Sequence, residues 1–142
     1  GGVAVFDSYA HHPTELTADL RAAREVNAGR GRVIAVFQPH LYSRTRDFAT
    51  RFGRALAAAD LVFVTDVYPA REQPIPGVTG ELVANAAREA GADVRYVAER
   101  ARVPEAVVAV LRPGDVCITL GAGDLNDAAR EILELLRPRD LD

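Results

Sequence analysis

The sequence predicts an α/β fold, a doubly wound and mainly parallel sheet of about five to six strands with helices on both faces. Three observations lead there. Apolar, β-branched runs alternate along the chain with segments of helical period. The runs read as strands buried on both faces, which is the habit of parallel sheets joined by helical crossovers. The polar, chemically capable residues gather in the segments that leave the strands, whereas "NAGRGR", "AAAD", "EAGAD" and "RPGD", which lead back into them, hold turn residues and little else.

The first strand is read from "VAVF", Val3 to Phe6. Leu16, Leu20, Ala23 and Val26 then recur at steps of three and four, marking one face of a helix. "RVIAVF", Arg32 to Phe37, is the second strand, and Phe48, Phe52, Leu56 and Ala59 mark the helix behind it. "LVFVTDV", Leu61 to Val67, is the third strand, followed by a helix over Thr79 to Ala90. "DVRYVA", Asp93 to Ala98, and a shorter helix over Pro104 to Leu111 come next. "DVCITL", Asp115 to Leu120, leads into a last helix carrying Leu125, Ala129, Ile132 and Leu136, and "RPRDLD" is expected to fray. This alternation is Rossmann-like, with no repeat, low-complexity tract or internal linker, so residues 1–142 are read as a single domain.

A length of 142 residues suits one ordinary domain. A net charge of -3 implies neither nucleic acid nor an anionic membrane surface as a partner. No apolar segment approaches the roughly 20 residues needed to span a bilayer. Cys117, inside an apolar run, reads as a buried thiol in a reducing compartment, so a cytoplasmic location is expected. All 17 basic residues are arginine, which excludes a Walker-type phosphate loop, because that loop needs a lysine on the transferred phosphate. The chain also lacks methionine and opens directly on "GGVAVFD", as expected of a fragment of a longer protein.

In an open parallel sheet the ligand crevice lies beyond the carboxyl ends of the strands. Four loops are directed there: "DSYAHHPTE", "QPHLYSRTRD", "DVYPAREQPIPG" and "GAGDLND". All 3 histidines of the chain, His11, His12 and His40, fall on that edge. Arg44 and Arg46 sit where a second helix begins, a place mildly unfavourable for cations unless a carboxylate or phosphate lies nearby. Asp66, Tyr68, Arg71 and Glu72 occupy a proline-rich loop for which a rigid turn is an equal reading. Gly121 and Gly123 allow close backbone approach at a helix start, consistent with an anion site or with plain turn chemistry. No protein-held metal is expected: adjacent histidine donors point apart on most backbones, and no helical i, i+4 histidine pair exists. A serine hydrolase is equally disfavoured, since there is no G-x-S-x-G around Ser8 or Ser43.

"DSYAHHPTEL", "VFQPHLYSRTRDF", "DVYPAREQPIPGV" and "LGAGDLND", in this order and spacing, resemble the carboxy-terminal domain of the Mur ligases. The resemblance covers most of the chain and points to the branch that joins L-alanine to UDP-N-acetylmuramate in the cytoplasmic stage of peptidoglycan synthesis. It implies an ATP- and Mg2+-dependent ligase of three domains, of which only the last, amino-acid-binding one is represented here, closing over ATP. ATP phosphorylates the sugar-linked carboxylate in such enzymes, and the amine of the incoming amino acid attacks the acyl phosphate. On this resemblance His40 and Arg44 grip the alanine carboxylate, Tyr9 and His11 line the amine end, and His11 and His40 serve as the catalytic pair. His12, Asp66, Gly121 and Gly123 are secondary candidates. The family pattern has an aspartate directly before the tyrosine, facing the nucleotide ribose; here Ser8 stands there and Asp7 precedes it. Two other readings remain open: the recycling ligase that attaches a preformed murein peptide to the same sugar nucleotide, and a stand-alone Rossmann-like small-molecule binding module. The isolated chain is expected to be inactive and to expose one sheet edge through which it could self-associate.

Overall fold

Five consecutive apolar residues that fill the sheet centre set the architecture of this protein, whose computed structural model describes residues 2–137. Val33–Phe37 (β2) and Val116–Leu120 (β5) are buried at every position. They pair in parallel from Val33 opposite Val116 to Phe37 opposite Leu120. Around them the chain runs β1 (Ala4–Ser8), α1 (Pro13–Glu25), a 3-10 turn at Val26–Gly29, β2, α2 (Tyr42–Leu56), β3 (Leu61–Val64), α3 (Glu81–Glu89) and β4 (Val94–Tyr96). A second 3-10 turn (Arg100–Arg102) leads into α4 (Val103–Val108), then β5 and α5 (Leu125–Leu136). The sheet has 5 strands in the order β1-β5-β2-β3-β4, and every pairing is parallel.

Alternate side chains of a strand point to opposite faces, so each strand feeds two cores. Ala35, Phe37, Val62, Val64, Ile118 and Leu120 pack beneath α1, α2 and α3. Ile34, Val36, Leu61, Phe63 and Cys117 pack against α4 and α5. The division follows from handedness. From β1 to β4 the chain advances in one direction across the sheet, and right-handed crossovers place the three intervening helices on one face; the return from β4 to β5 reverses direction and puts α4 on the other. Strands β1 and β2 then send their chains to one face while β5, lying between them, sends its chain to the opposite face. The crevice opens where neighbouring strands part in this way.

The opposite, amino edge is closed by Arg32, which holds Asp115 through two hydrogen bonds of 3.1 and 2.7 Å and donates to the Val110 carbonyl at 2.8 Å. Burial would raise the Asp115 carboxyl, but the Arg32 guanidinium and the Arg112 N–H hold it below the ordinary carboxylate range. Cys117 is fully buried, and burial pushes its thiol up to about 12, so it remains protonated packing material.

Several boundaries differ from the sequence reading. β1 runs on through Asp7 and Ser8, which pair with Thr119 and Leu120. The polar residues made this end look like a loop, yet β1 is an edge strand, where polar side chains are tolerated. Helix α2 begins at Tyr42, so Arg44 and Arg46 fall in its first turns as expected, although these face the crevice and carry no apolar period. Strands β3 and β4 are shorter than their apolar runs, and α4 stops at Val108. The expected tail beyond Arg137 lies outside the described residues.

Gly53, in the middle of α2, packs against α3 so closely that an added Cβ would stand 2.5 Å from the Ala86 carbonyl carbon. Alanine at this position would gain about 1 kcal/mol of helix propensity and lose about 1–3 kcal/mol to overpacking. Gly53→Ala is therefore expected to lower unfolding free energy in urea; a more stable variant would contradict this packing.

Candidate functional site

The loop from β1 to α1 is fixed by its own sequence. His12 is extended (φ -119, ψ 150) at the helix cap, and Pro13 follows at the first helical position, where its missing N–H costs nothing. Glu15 reaches back to accept the N–H groups of His11 and His12, both at 3.0 Å. These donors, the His11 N–H foremost, hold the Glu15 carboxyl below its usual range. The two imidazoles are thereby planted on a clamped backbone, with ring centres 4.9 Å apart.

The loop from β2 to α2 is held differently. Leu41 takes φ 70 and ψ 135, a conformation rare for a residue with a side chain and costing on the order of 1–3 kcal/mol. Its neighbours impose it. The Leu41 N–H donates to the Tyr68 carbonyl at 2.9 Å, and the Leu41 carbonyl accepts from the Thr45 N–H at 3.1 Å and the Thr45 hydroxyl at 2.7 Å. Next to it His40 bridges to Tyr68 through the backbone, and their rings stack at 5.7 Å and 12°. The third loop is tied to the same helix by Glu72, which accepts from the Ser43 N–H at 3.0 Å and from the Ser43 hydroxyl.

These two loops bring His40, Arg44, His11 and His12 together. Arg44 Nη1 lies 3.3 Å from His40 Nδ1, the His11 ring is 6.3 Å from that of His40, and His12 packs edge-on to Phe48 at 6.3 Å. Hydrogen-bond logic assigns the tautomers. A guanidinium can only donate, so His40 Nδ1 accepts and the proton of the neutral ring sits on Nε2. His11 Nδ1 lies 2.9 Å from the Tyr9 carbonyl, which can only accept, so His11 carries its proton there and keeps a lone pair on Nε2. Burial, then the cation of Arg44 and the His11 ring, hold the His40 pKa below 6.5, with Glu72 opposing weakly. The crevice thus offers a cation and an N–H donor from one loop and an imidazole acceptor from the other.

The remaining candidates fall elsewhere. The Tyr9 side chain is 70% exposed and, among the described residues, stacks on none of the histidines. Asp7 accepts from Thr119 Oγ1 at 2.6 Å and points toward the α5 side of β1. Ser8, on the opposite side, donates to Asp19 and accepts the Ala10 N–H at 3.1 Å. Asp66 ties its own loop, accepting the N–H groups of Val67 at 2.8 Å and Gly80 at 2.9 Å. Gly121 and Gly123 are needed for packing: a Cβ on Gly121 would stand 3.1 Å from the Gln38 carbonyl, and one on Gly123 would lie 2.5 Å from the Tyr68 ring. Arg46 pairs with Asp47 in the open. Two further residues adjoin the cluster. Tyr68, a candidate from its proline-rich loop, forms the floor under His40, and Gln38, 3% exposed, donates to Asp124 at 2.7 Å across the crevice. Gln38 was not singled out from the sequence; its signal was position alone, on a loop already known to face the same edge.

Among the described residues no group of three or more histidine, cysteine, aspartate or glutamate side chains is arranged to hold a metal ion. No helix among them is long and apolar enough to cross a membrane.

The fold and crevice define the class: an open, doubly wound α/β domain whose polar loops converge at the carboxyl end of a central strand. The chain belongs to the Mur ligase, glutamate ligase domain family, whose model matches residues 1–123. It is 62% identical over 134 residues to the UDP-N-acetylmuramate–L-alanine ligase of Cutibacterium acnes, covering 94% of this chain and 28% of that protein. It is 55% identical over 135 residues to the ligase of the same name from Streptomyces avermitilis, covering 95% and 29%. The crystal structure of UDP-N-acetylmuramate-alanine ligase from Thermotoga maritima superposes with a TM-score of 0.76 at 26% identity, over 94% of this chain and 26% of that one. A murein peptide ligase from Psychrobacter arcticus shares the fold, with a TM-score of 0.72 at 20% identity over 94% and 27%. The chain spans less than a third of the length of these curated relatives.

The state of His40 has a consequence for stability. Its folded pKa lies below 6.5, so on acidification the unfolded chain takes up this proton first. The stability it permits is complete above about pH 6.5 and is lost as pH falls through the folded value. His40→Asn is expected to show a smaller drop in Tm between about pH 7.5 and about pH 5 than the parent; an equal or larger drop would mean His40 titrates as it does in the unfolded chain.

Proposed function

We propose that this chain is the amino-acid-binding domain of an ATP-dependent ligase that adds L-alanine to UDP-N-acetylmuramate, an early cytoplasmic step of peptidoglycan synthesis. The observation that carries this reading is the polarity of the cluster. An amino acid presents a carboxylate at one end and an amine at the other. His40 Nε2–H and the Arg44 guanidinium suit the carboxylate, and a bidentate arginine contact fixes its orientation. The Nε2 lone pair of His11 suits the amine and can take its proton, which matters because only a neutral amine attacks an acyl phosphate. Holding both ends keeps the nucleophile in the attacking geometry. The names of the relatives support the same substrate.

ATP and Mg2+ belong to the longer protein in this reading, where they activate the sugar-linked carboxylate. A chain without lysine offers no phosphate loop of the Walker type. Of the two residues expected near the nucleotide, Ser8 has its hydroxyl engaged on both sides, whereas Asp7 keeps one carboxylate oxygen free, so Asp7 is the one assigned to the ribose. UDP-N-acetylmuramate likewise reaches the crevice from domains beyond this chain.

In the full-length enzyme Arg44→Ala is expected to raise KM for L-alanine by roughly 10- to 100-fold, the loss of one charged bidentate contact. Arg44→Lys should recover only part of this, since an ammonium lacks the planar fork. Unchanged alanine kinetics in Arg44→Ala would remove the clamp. If a preformed murein tripeptide outcompetes L-alanine in the same assay, the recycling ligase is the correct assignment. The isolated 142-residue chain is expected to form no amide bond from ATP, L-alanine and UDP-N-acetylmuramate, and turnover by it would refute the division of labour proposed here.

A further inference from the structure

We propose that a second site, on the outer surface of helices α1 and α2, binds the di- or triphosphate group of a phosphate-bearing small molecule. Between α1 and α2 runs a groove of about 630 Å³, lined by Thr14, Thr17, Ala18, Arg21, Arg51 and Arg54 among others, with no aspartate or glutamate in its wall. Its volume falls within the range of about 300–1,000 Å³ typical of small-molecule sites. The spacing explains the convergence. Thr14, Thr17, Ala18 and Arg21 recur at three- and four-residue steps on α1, and Arg51 and Arg54 at a three-residue step on α2, so each helix turns one face into the groove.

The charge there runs against that of the whole chain, which carries a net -3. Several arginines elsewhere have carboxylate partners: Arg24 with Asp60, Arg32 with Asp115, Arg100 with Glu131. Among the described residues Arg21, Arg51 and Arg54 have no carboxylate partner, although all three line one groove. The Arg51 guanidinium lies 5.3 Å over the Phe48 ring, a contact that holds its stem without neutralising its charge. The amino end of α1, at Pro13 and Thr14, adds the positive pole of a helix on the same side. Like charges collected this way repel one another unless an anion is present, and planar forks match phosphate oxygens in pairs. Three cations fit the charge of a pyrophosphate group better than that of a single carboxylate. None of His11, His40 and Arg44 lines the groove, so this inference is independent of the amino-acid clamp.

The test is titration of inorganic pyrophosphate into the isotope-labelled chain, followed by backbone amide shifts. Saturable shifts are expected at Thr14, Thr17, Ala18 and Ala55, weakening as salt is added. The triple variant Arg21→Gln, Arg51→Gln, Arg54→Gln should bind about tenfold or more weakly while keeping the parent's helical circular dichroism and its response to L-alanine. The proposal is overturned if nothing saturates, if the triple variant binds as tightly as the parent, or if the shifts centre on His11, His40 and Arg44. It is also overturned if a hexaglutamate peptide binds more tightly than pyrophosphate with the same arginine dependence, because the groove would then be a docking surface for acidic polypeptide.

Discussion

The position of β5 between β1 and β2 is the constraint on which the crevice depends. A strand that enters last and is buried on both faces must find its hydrogen bonds on both sides, and it does so in register with each neighbour over five residues. The ladder does not stop where the strands do. The Gln38 N–H donates to the Leu120 carbonyl and the Gly121 N–H to the Ser8 carbonyl, both at 3.0 Å, so the first residue of each loop is set by the sheet. Gln38 then donates to Asp124, and Asp124 in turn lies 3.6 Å from Arg100. Loops from the first, second and last strands are thus fixed to one another before any side chain of the cluster is considered.

On that base the histidines acquire distinct chemistry from identical rings. His40 is told which nitrogen to protonate by a guanidinium, and His11 by a peptide carbonyl. Burial and the neighbouring cation keep His40 neutral, and its Tyr68 partner supplies a flat wall instead of a counter-charge. The result is an asymmetric cleft, with the Glu15 carboxylate 3.6 Å from His11 Nδ1 at its His11 end. Glu15 also fixes the backbone of His11 and His12, and Glu72 braces Ser43.

Much of this was legible in the sequence, and for physical reasons. Strands buried on both faces leave continuous apolar runs, helices over them leave a three-to-four period, and right-handed crossovers leave few ways to connect the two. The same logic placed His11, His12, His40 and Arg44 on one edge. What escaped was whatever depends on a partner distant in the chain. Asp7 and Ser8 looked like loop because only pairing with β5 makes them strand. The first turns of α2 showed no apolar period because they face the crevice. Asp66 ties a turn and the two glycines admit Tyr68 and Gln38, contacts that depend on partners distant in the chain. The stacking of Tyr68 under His40 is invisible until β3 is laid beside β2.

Leu41 sits at the joint of this arrangement, and its backbone shape sets local strain against order at a single residue. Glycine would adopt φ 70 without strain, relieving this local cost while adding freedom to the unfolded chain. It would also widen the range of conformations open to the segment that carries His40, and the imidazole would lose part of its fixed bearing toward Arg44. The leucine acts as a preloaded latch: the energy stored in one peptide unit narrows the motion of the next, and relief of strain at this point would come with a looser grip on whatever lies in the cleft.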